Sequence, residues 1–224
     1  MILWIASYPK SGNTWLRTLI GSYYYSEDGL YKEVNIKKIG QFPEKKYFTT
    51  FNYNKNIPSD TSRFWIEAQQ KINEDKKIRF FKTHNVFGKI NDHAFTNKEN
   101  SIGCIYIVRD PRNVITSISN HYELSYEESL SWMTNHKKYI FDNREGQDFG
   151  NFQFISSWSN NYKSWKIQRD LPIKIVRYED LLDRTYQVAK DIIEFINKTT
   201  NTNRKVDSNK LKNSVHSTSF DKLK

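Results

Sequence analysis

Four short apolar runs, separated by helical or polar sequence, restrict the folds open to this chain. They lie at residues 2–6, 78–81, 102–108 and 173–176. Runs that are hydrophobic throughout, rather than alternating, are typical of parallel strands covered on both faces. The helical spacing of apolar residues predicts helices at residues 14–25, 62–72, 113–122, 152–168 and 185–197. Strands and helices in this order indicate an α/β domain with a mainly parallel central sheet flanked by helices.

A polar and mostly basic cluster follows each apolar run, and the clusters begin at Ser7, Lys82, Arg109 and Arg177. The carboxyl ends of parallel strands meet at one edge of a sheet, where the ligands of such sheets bind. We therefore expect the clusters to converge on one anion-binding site. Residues 33–60 are polar and aromatic without a clear period, so we expect a long excursion near that site, or a lid.

The first cluster, YPKSGNTW at residues 8–15, has the composition of an anion cradle that leads into a helix. The first N–H groups of a helix are free, and its positive dipole end attracts anions. Gly12 permits close approach of the backbone, and Lys10 supplies a positive charge. Further hydrogen-bond donors are Ser11, Asn13 and Thr14. The pattern differs from the triphosphate loop Gly-x-x-x-x-Gly-Lys-Ser/Thr, because this lysine lies two residues before the glycine. The alternative is a capped helix start with an incidental lysine.

The second cluster places His84 just beyond a strand, two residues after Lys82. A lone histidine is often structural, but at the mouth of an anion site it is the natural general base near neutral pH. Lys82 can point to the same side, because alternate residues of a strand share a face. His84 is therefore a candidate catalytic base, with a structural role as the alternative.

The third cluster begins with Arg109, and Ser117 follows eight residues later inside the next predicted helix. Asp110 and Pro111 are typical of a helix start. The arginine and the serine can therefore hold one phosphate between them, although this pattern is weak on its own. In the fourth cluster, Tyr178 can face the base of a bound ligand or pack, and the two acidic residues after it suit a helix start.

Composition narrows the class of protein without selecting a ligand. The formal net charge of +10 fits nucleic acid, a membrane surface or a small phosphorylated ligand equally well. The single cysteine, Cys104, excludes a disulfide framework and a cysteine zinc cluster, which suits a reducing compartment. The sequence shows neither a signal-peptide pattern nor an apolar run of membrane-spanning length. We therefore expect a cytoplasmic protein without a transmembrane segment.

Taken together, the clusters resemble the motifs of the PAPS-dependent sulfotransferases, soluble α/β enzymes related to P-loop kinases. YPKSGNTW is similar to the family loop that holds the 5′-phosphosulfate, with Asn13 in place of a threonine. Residues 109–117 resemble the 3′-phosphate signature, and Lys82-x-His84 resembles the catalytic histidine segment. Tyr178-Glu179-Asp180 and Thr218-Ser219-Phe220 resemble adenine-side segments. The resemblance covers nearly the whole chain, so it implies one sulfotransferase domain over residues 1–224 with a P-loop-NTPase-like fold.

The resemblance implies transfer of the sulfuryl group of 3′-phosphoadenosine 5′-phosphosulfate (PAPS) to an acceptor hydroxyl or amine, without a metal. The implied catalytic residues are His84 as general base, Lys10 at the bridging oxygen and Lys82 at the sulfuryl oxygens. The implied donor-binding residues are Lys10, Ser11, Gly12, Asn13 and Thr14 for the 5′-phosphate, Arg109 and Ser117 for the 3′-phosphate, and Trp15, Tyr178, Thr218 and Phe220 for adenine.

One departure from the family concerns the C-terminus. Family members usually continue to a basic, glycine-containing segment that closes over the 3′-phosphate, whereas this sequence ends at Lys224, soon after Phe220. We therefore expect this segment to be missing or truncated. Either another basic group substitutes, with Lys222 and Lys224 as candidates, or the sequence is a fragment, or cofactor binding is weakened.

The acceptor has no readable code, and a small molecule or a carbohydrate is expected rather than nucleic acid; the oligomeric state is equally unspecified. Three residues are candidates to border the acceptor site: Trp132, His136 and Tyr139. An aromatic stripe is interpreted as core: Trp158, Tyr162 and Trp165. His121 is expected to be structural or at the surface. Two alternative functions are an ATP-dependent small-molecule kinase of related fold and a non-catalytic polyanion-binding protein.

Overall fold

The computed structural model describes residues 1–142, 148–202 and 204–219. The strands are β1 Ile2–Ser7, β2 Gly40–Gln41, β3 Arg79–Thr83, β4 Lys89–Ile90, β5 His93–Ala94, β6 Ser101–Val108, β7 Tyr139–Ile140, β8 Gln153–Phe154 and β9 Ile173–Arg177. The α-helices are α1 Asn13–Tyr25, α2 Glu33–Lys37, α3 Trp65–Asn73, α4 Pro111–Tyr122, α5 Tyr126–Thr134, α6 Trp158–Ile167, α7 Tyr178–Asp183, α8 Thr185–Thr199 and α9 Ser208–Ser217. Short 3₁₀ turns lie at Lys45–Tyr47, Asp60–Phe64 and Phe149–Asn151.

The central sheet has five strands in the order β2-β3-β1-β6-β9, and each neighbouring pair is parallel. β1 lies in the middle, where Ala6 pairs with Thr83 of β3 and with Tyr106 of β6. The pairs β4–β5 and β7–β8 form separate small antiparallel ribbons. The predicted fold class, a parallel sheet flanked by helices, is confirmed.

Both faces of the sheet are buried, which explains why the strand sequences are apolar throughout. Leu3 and Ile5 of β1 pack into a cluster that also contains buried residues of α1 and α8. Trp4 faces the opposite side, where it joins Trp65 of α3 and Trp165 of α6. The interpretation of the aromatic stripe on α6 as core is correct for Trp165, which is fully buried.

Three predicted elements begin later than the sequence suggested. The α-helix predicted at 62–72 begins at Trp65, after the 3₁₀ turn Asp60–Phe64. The predicted strand at 78–81 is displaced to Arg79–Thr83, because its pairing with β1 continues to Thr83. The predicted helix at 152–168 begins only at Trp158, where the hydroxyl of Ser157 caps it by accepting from the N–H of Asn160. Before that cap the chain forms β8 instead. The side chain of Gln153 in β8 is buried, and its Oε1 accepts a hydrogen bond from the main-chain N–H of His84.

The excursion at residues 33–60 supplies the edge strand β2, which was not predicted. A two-residue strand is too short to show a hydrophobic period. β2 places Gln41 opposite Lys82 in the register of the sheet, so the excursion reaches the predicted site. Among the described helices, none combines the length and apolar character that crossing a bilayer demands.

Candidate active site

A cavity of about 510 Å³ lies at the carboxyl ends of the central strands. Its walls come from all four predicted clusters: Pro9, Lys10, Gly12, Asn13, Thr14, Trp15, Lys82, His84, Arg109, Ser117, His121, Tyr122, Ile140 and Tyr178. A second depression shares Lys10, Arg109, Ser117, His121 and Tyr178 with it and extends along α4. The parallel topology therefore brings together residues that are up to 169 positions apart in the chain, from Pro9 to Tyr178.

The loop between β1 and α1 has the backbone geometry of an anion cradle. Lys10 and Gly12 adopt positive φ angles of 63° and 95°. Gly12 is the N-cap of α1 and provides no side-chain cap, so the first N–H groups of the helix stay available to a ligand. A left-handed lysine is uncommon and is usually found where function requires it. The geometry suits an anion held by main-chain donors.

Gly12 is also required by a neighbouring side chain. A Cβ atom on Gly12 would lie 2.5 Å from Cδ2 of Tyr178, which is closer than real Cβ contacts come. The absent side chain therefore gives room to the tyrosine ring as well as to an approaching ligand. Trp15 meets the same ring edge-on, with 5.7 Å between the centroids.

The polar side chains of the loop divide into two groups. Asn13 faces inward, where Nδ2 donates to the carbonyl of Ile5 and to Oγ of Ser7, each at 3.1 Å. By contrast, the buried Oγ of Ser11 and Nε1 of Trp15 have no hydrogen-bond partner within the described ranges. Buried donors without partners are costly, so these two groups fit a ligand that carries acceptor oxygens or nitrogens.

His84 is held from both sides of its peptide and from its ring. Its N–H donates to Oε1 of Gln153 at 2.8 Å, and its carbonyl accepts from Nδ2 of Asn161 at 2.8 Å. Nδ1 of the ring lies 2.7 Å from the carbonyl oxygen of Ser7. Because a carbonyl can only accept, Nδ1 carries the hydrogen, and Nε2 of the neutral ring keeps its lone pair.

The charge state of His84 follows from its surroundings. Burial lowers the pKa of His84 well below its usual range, and the positive charges of Lys82 and Arg17 lower this pKa further. The ring is therefore neutral at physiological pH, which is the state that accepts a proton. Sequence reasoning had identified His84 but not its supports Gln153 and Asn161, which are distant in the chain.

Lys82 lies beside His84 in a partly buried position. Its Nζ donates to Oε1 of Gln41 at 2.9 Å. Burial, followed by the charge of Arg17, lowers the pKa of Lys82 to about 8. A lysine with a pKa of about 8 is mostly charged at pH 7 but loses its charge as the pH rises above 8.

Arg109 is oriented by an aromatic ring and by the anion loop. Its guanidinium lies 4.4 Å from the ring centroid of Tyr178, and Nη1 donates to the carbonyl of Lys10 at 3.2 Å. Its Nε is buried without a partner among the described residues. Ser117 lines the same wall from α4. Asp110 caps α4 as predicted, by accepting from the N–H of Arg112.

Two further residues considered in the sequence, His121 and Thr218, have different positions relative to the cavity. His121 is exposed, as a surface residue would be, and it lines the cavity together with Tyr122 and Ile140. The sequence did not suggest that His121 lies at the cavity. Thr218 does not line the cavity, since it is buried at the end of α9 and its hydroxyl donates to the carbonyl of Ser214 at 2.7 Å. Phe220, Lys222 and Lys224 lie outside the described residues.

The three candidate acceptor-side residues, Trp132, His136 and Tyr139, do not line the cavity. The ring of Trp132 packs edge-on against Tyr8 at 5.8 Å, and Tyr139 packs against Phe152 at 5.3 Å. Nδ1 of His136 accepts from Nδ2 of Asn160 at 2.9 Å, because an amide nitrogen can only donate. Within the described ranges, no group of three or more His, Cys, Asp and Glu side chains is placed to hold a metal ion.

A parallel α/β sheet that carries an uncapped loop, a partly buried arginine and a neutral histidine at one edge defines a class of α/β proteins whose site suits an anionic ligand. Comparison with known proteins narrows that class. A family model described as "Sulfotransferase domain" matches residues 2–224. Because this match covers nearly all of the sequence, the chain belongs to the sulfotransferase domain family.

Individual relatives are distant. Sulfotransferase 1A1 of Rattus norvegicus is 24% identical over 228 residues, which cover 99% of this chain and 66% of the relative. Luciferin sulfotransferase of Photinus pyralis is 25% identical over 225 residues, covering 98% of this chain and 56% of the relative. The chain thus spans less than two thirds of the length of these relatives.

Solved structures show the same fold. A structure of retinol dehydratase in complex with androsterone and the inactive cofactor PAP superposes with a TM-score of 0.58 at 16% identity. A second, in complex with retinol and PAP, gives 0.59 at 17% identity. Each match covers 99% of this chain and 65% of the other. At this level of identity the likeness establishes the fold.

Proposed function

We propose that this protein is a PAPS-dependent sulfotransferase that moves the sulfuryl group to a hydroxyl or amine of an acceptor. The observation that carries the proposal is that three features line the same cavity. These are the uncapped loop at Gly12, the pair of side chains Arg109 and Ser117, and the neutral ring of His84. Membership of the sulfotransferase domain family supports it.

The donor would be bound by the anion loop and by α4. Main-chain N–H groups of residues 11–14 and the hydroxyl of Ser11 would hold the 5′-phosphate. Arg109 and Ser117 would hold the 3′-phosphate and so distinguish PAPS from ATP. The buried Nε of Arg109 and the buried Oγ of Ser11, both without partners among the described residues, fit such oxygen-rich groups. We assign adenine to the region of Trp15 and Tyr178, with Phe220 as a further candidate.

During the transfer step, three side chains would accept the proton and stabilise the negative charges. Nε2 of His84 would take the proton of the acceptor hydroxyl as its oxygen bonds to sulfur. The bond between sulfur and the bridging oxygen breaks at the same time, and Lys10 would neutralise the charge left on the departing phosphate. Lys82 would stabilise the sulfuryl oxygens. In transfers of this kind, positioning and charge stabilisation contribute most of the rate enhancement.

We further propose a small-molecule or carbohydrate acceptor, no requirement for a metal, and a cytosolic location. The retinol dehydratase structures hold androsterone or retinol beside PAP, which supports a small-molecule acceptor. An Arabidopsis thaliana relative, 23% identical over 194 residues, is named cytosolic sulfotransferase 13. A kinase of related fold would depend on magnesium, so activity that persists in EDTA separates the two functions.

The first experiment is calorimetric titration with adenosine 3′,5′-bisphosphate (PAP) in the absence of magnesium, with adenosine 5′-phosphate as the control. We expect binding that requires the 3′-phosphate. Equal affinity for the two nucleotides, or none for PAP in a folded sample, would contradict the proposal. A polyanion-binding protein would instead bind heparin-like polymers with a strong dependence on salt.

A further inference from the structure

Gln41 reaches the candidate active site through Lys82 and not through the cavity wall. Lys82 lines the cavity, whereas Gln41 does not. Oε1 of Gln41 accepts a hydrogen bond from Nζ of Lys82 at 2.9 Å. The two residues are partners in the register of β2 and β3, so their side chains leave the same face of the sheet. The function proposed above gives Gln41 no part.

The main chain around Gln41 is fixed on both sides. Gln41 pairs with Lys82, and the N–H of the next residue, Phe42, donates to the carbonyl of Lys82 at 3.0 Å. The side chain of Phe42 is fully buried and packs against Trp4, with 6.0 Å between the ring centroids. A side chain that projects from such an anchored element holds its partner more precisely than one on a loop. The excursion at residues 33–60 therefore delivers the amide of Gln41 to Lys82 in a defined geometry.

The partner that Gln41 offers to Lys82 is uncharged. An ammonium group has three N–H donors, so one bond to Gln41 leaves two for a ligand. Arg17 adds positive charge to the surroundings of Lys82, and the carboxylate of Glu44 already pairs with Nζ of Lys46 at 2.6 Å. A carboxylate in place of the amide would also hold Nζ, but it would cancel the positive charge. The amide of Gln41 therefore fixes the direction of Nζ without neutralising it.

We propose that Gln41 is a positioning residue for sulfuryl transfer, whose amide directs the charged Nζ of Lys82 toward the sulfuryl oxygens of the donor. This inference rests on the proposed function and adds to it a role for the segment that carries β2. Gln41 touches neither the donor nor the acceptor in this role, so its effect passes through Lys82. Loss of the amide should therefore affect binding of the sulfuryl group and not of the two phosphates.

The test uses three variants of the whole chain. Gln41→Leu removes the acceptor oxygen, and Gln41→Glu keeps an acceptor of the same length but adds a negative charge. Gln70→Leu is the matched control, because Gln70 is exposed on α3. Gln41 is partly exposed and its side chain takes no part in the pairing of β2, so the variants should melt within about 4 °C of wild type. If Gln41→Leu does not fold, Gln41→Glu decides the outcome by the same measurements.

The protonation of Lys82 is measured by competitive labelling of its amine with acetic anhydride across a range of pH, followed by mass spectrometry. In wild type and Gln70→Leu the midpoint should lie near the pKa of Lys82, which is about 8. Gln41→Leu should have a lower midpoint, because a hydrogen bond to the charged form favours that form. In Gln41→Glu the midpoint should rise by about one pH unit or more, because a nearby negative charge raises the pKa of an ammonium group. Equal midpoints in all the proteins would overturn the proposal.

Calorimetry without magnesium then compares PAPS, which carries the sulfuryl group, with PAP, which lacks it. Gln41→Leu should bind PAPS about three- to tenfold more weakly than wild type, and PAP within about twofold of wild type. Gln41→Glu should lose more affinity for PAPS, because its carboxylate neutralises Lys82. Unchanged affinity for PAPS, or equal losses for PAPS and PAP, would overturn the proposal. Failure of wild type to bind PAP would instead overturn the proposed function, whereas labelling of Lys82 needs no ligand, so the two failures are distinguishable.

Discussion

The ring of His84 donates from Nδ1 to the main-chain carbonyl of Ser7 across 2.7 Å, which ties the candidate base to the end of β1. Oγ of Ser7, 3.2 Å from the same nitrogen, accepts from Nδ2 of Asn13. The anion loop and the histidine are therefore joined through one serine. This contact leaves Nε2 as the basic nitrogen of the neutral ring.

Replacing His84 with alanine should abolish turnover while sparing donor binding. Loss of a general base lowers rates by about 10²–10⁴-fold. The measurements are PAP release from PAPS in the presence of an acceptor, and the PAP dissociation constant. His93→Ala is the control, since His93 is exposed on β5. Near-normal turnover of His84→Ala would show that another group accepts the proton.

Replacing Arg109 with glutamine should weaken PAP by about 10–100-fold, because a charge-assisted hydrogen bond contributes roughly 1.5–3 kcal/mol. Adenosine 5′-phosphate should be affected much less, since it lacks the 3′-phosphate. Calorimetry with both nucleotides measures the difference. Arg112→Gln serves as the control, because Arg112 is exposed and paired with Asp110. Equal losses for both nucleotides would remove Arg109 from the 3′-phosphate site.

The pH profile of kcat/KM should show a plateau that ends on the alkaline side near the pKa of Lys82, which is about 8. Lys82 must be protonated to act, so activity falls as the pH rises through this value. His84 must be neutral, and since its pKa is lowered, activity persists below the usual histidine value of about 6.5. Lys82→Arg should move the alkaline limb upward, because arginine stays charged. An unmoved limb would assign it to another group.

Gly12→Ala should lose both stability and PAP binding. The φ of 95° disfavours a side chain, and the new Cβ would collide with the ring of Tyr178. Such backbone strain costs about 1–3 kcal/mol, measurable by urea denaturation. Gly88→Ala is the matched control, since a Cβ there meets only a methyl of Val86 at 3.8 Å. Equal stability of the two variants would contradict the conformational requirement.

Asn161→Ala should lower kcat more than it weakens PAP. Nδ2 of Asn161 donates to the buried carbonyls of His84 and Ile155, so the variant leaves both without that donor. We expect a stability loss of about 2–4 kcal/mol together with a misplaced histidine. Lys163→Ala, at an exposed position on the same helix, should show neither effect. Unchanged kcat in a destabilised Asn161→Ala would limit the role of Asn161 to stability.

The clusters at the strand ends could be predicted because the two sequence patterns that reveal them are local in the chain. A continuous apolar run indicates a buried strand, and a polar cluster after it indicates the ligand edge. The positions of Lys10, Lys82, His84 and Arg109 followed from this rule and proved to line one cavity. The edge strand β2 could not be predicted, because two residues are too few to show a period. The start of α6 could not be predicted, because it depends on the cap by Ser157 and on the burial of Gln153 before it.

Local sequence was sufficient for the parallel sheet, the helix after the anion loop and the candidate base, since periodicity and backbone preference act between near neighbours in the chain. The tautomer of His84, the position of Arg109 on the ring of Tyr178 and the partly buried charge of Arg17 depended on the tertiary structure. Hydrogen bonds connect residues that lie tens of positions apart in the chain, and burial removes water from particular side chains. Only the folded chain determines which groups line the same cavity and which are buried.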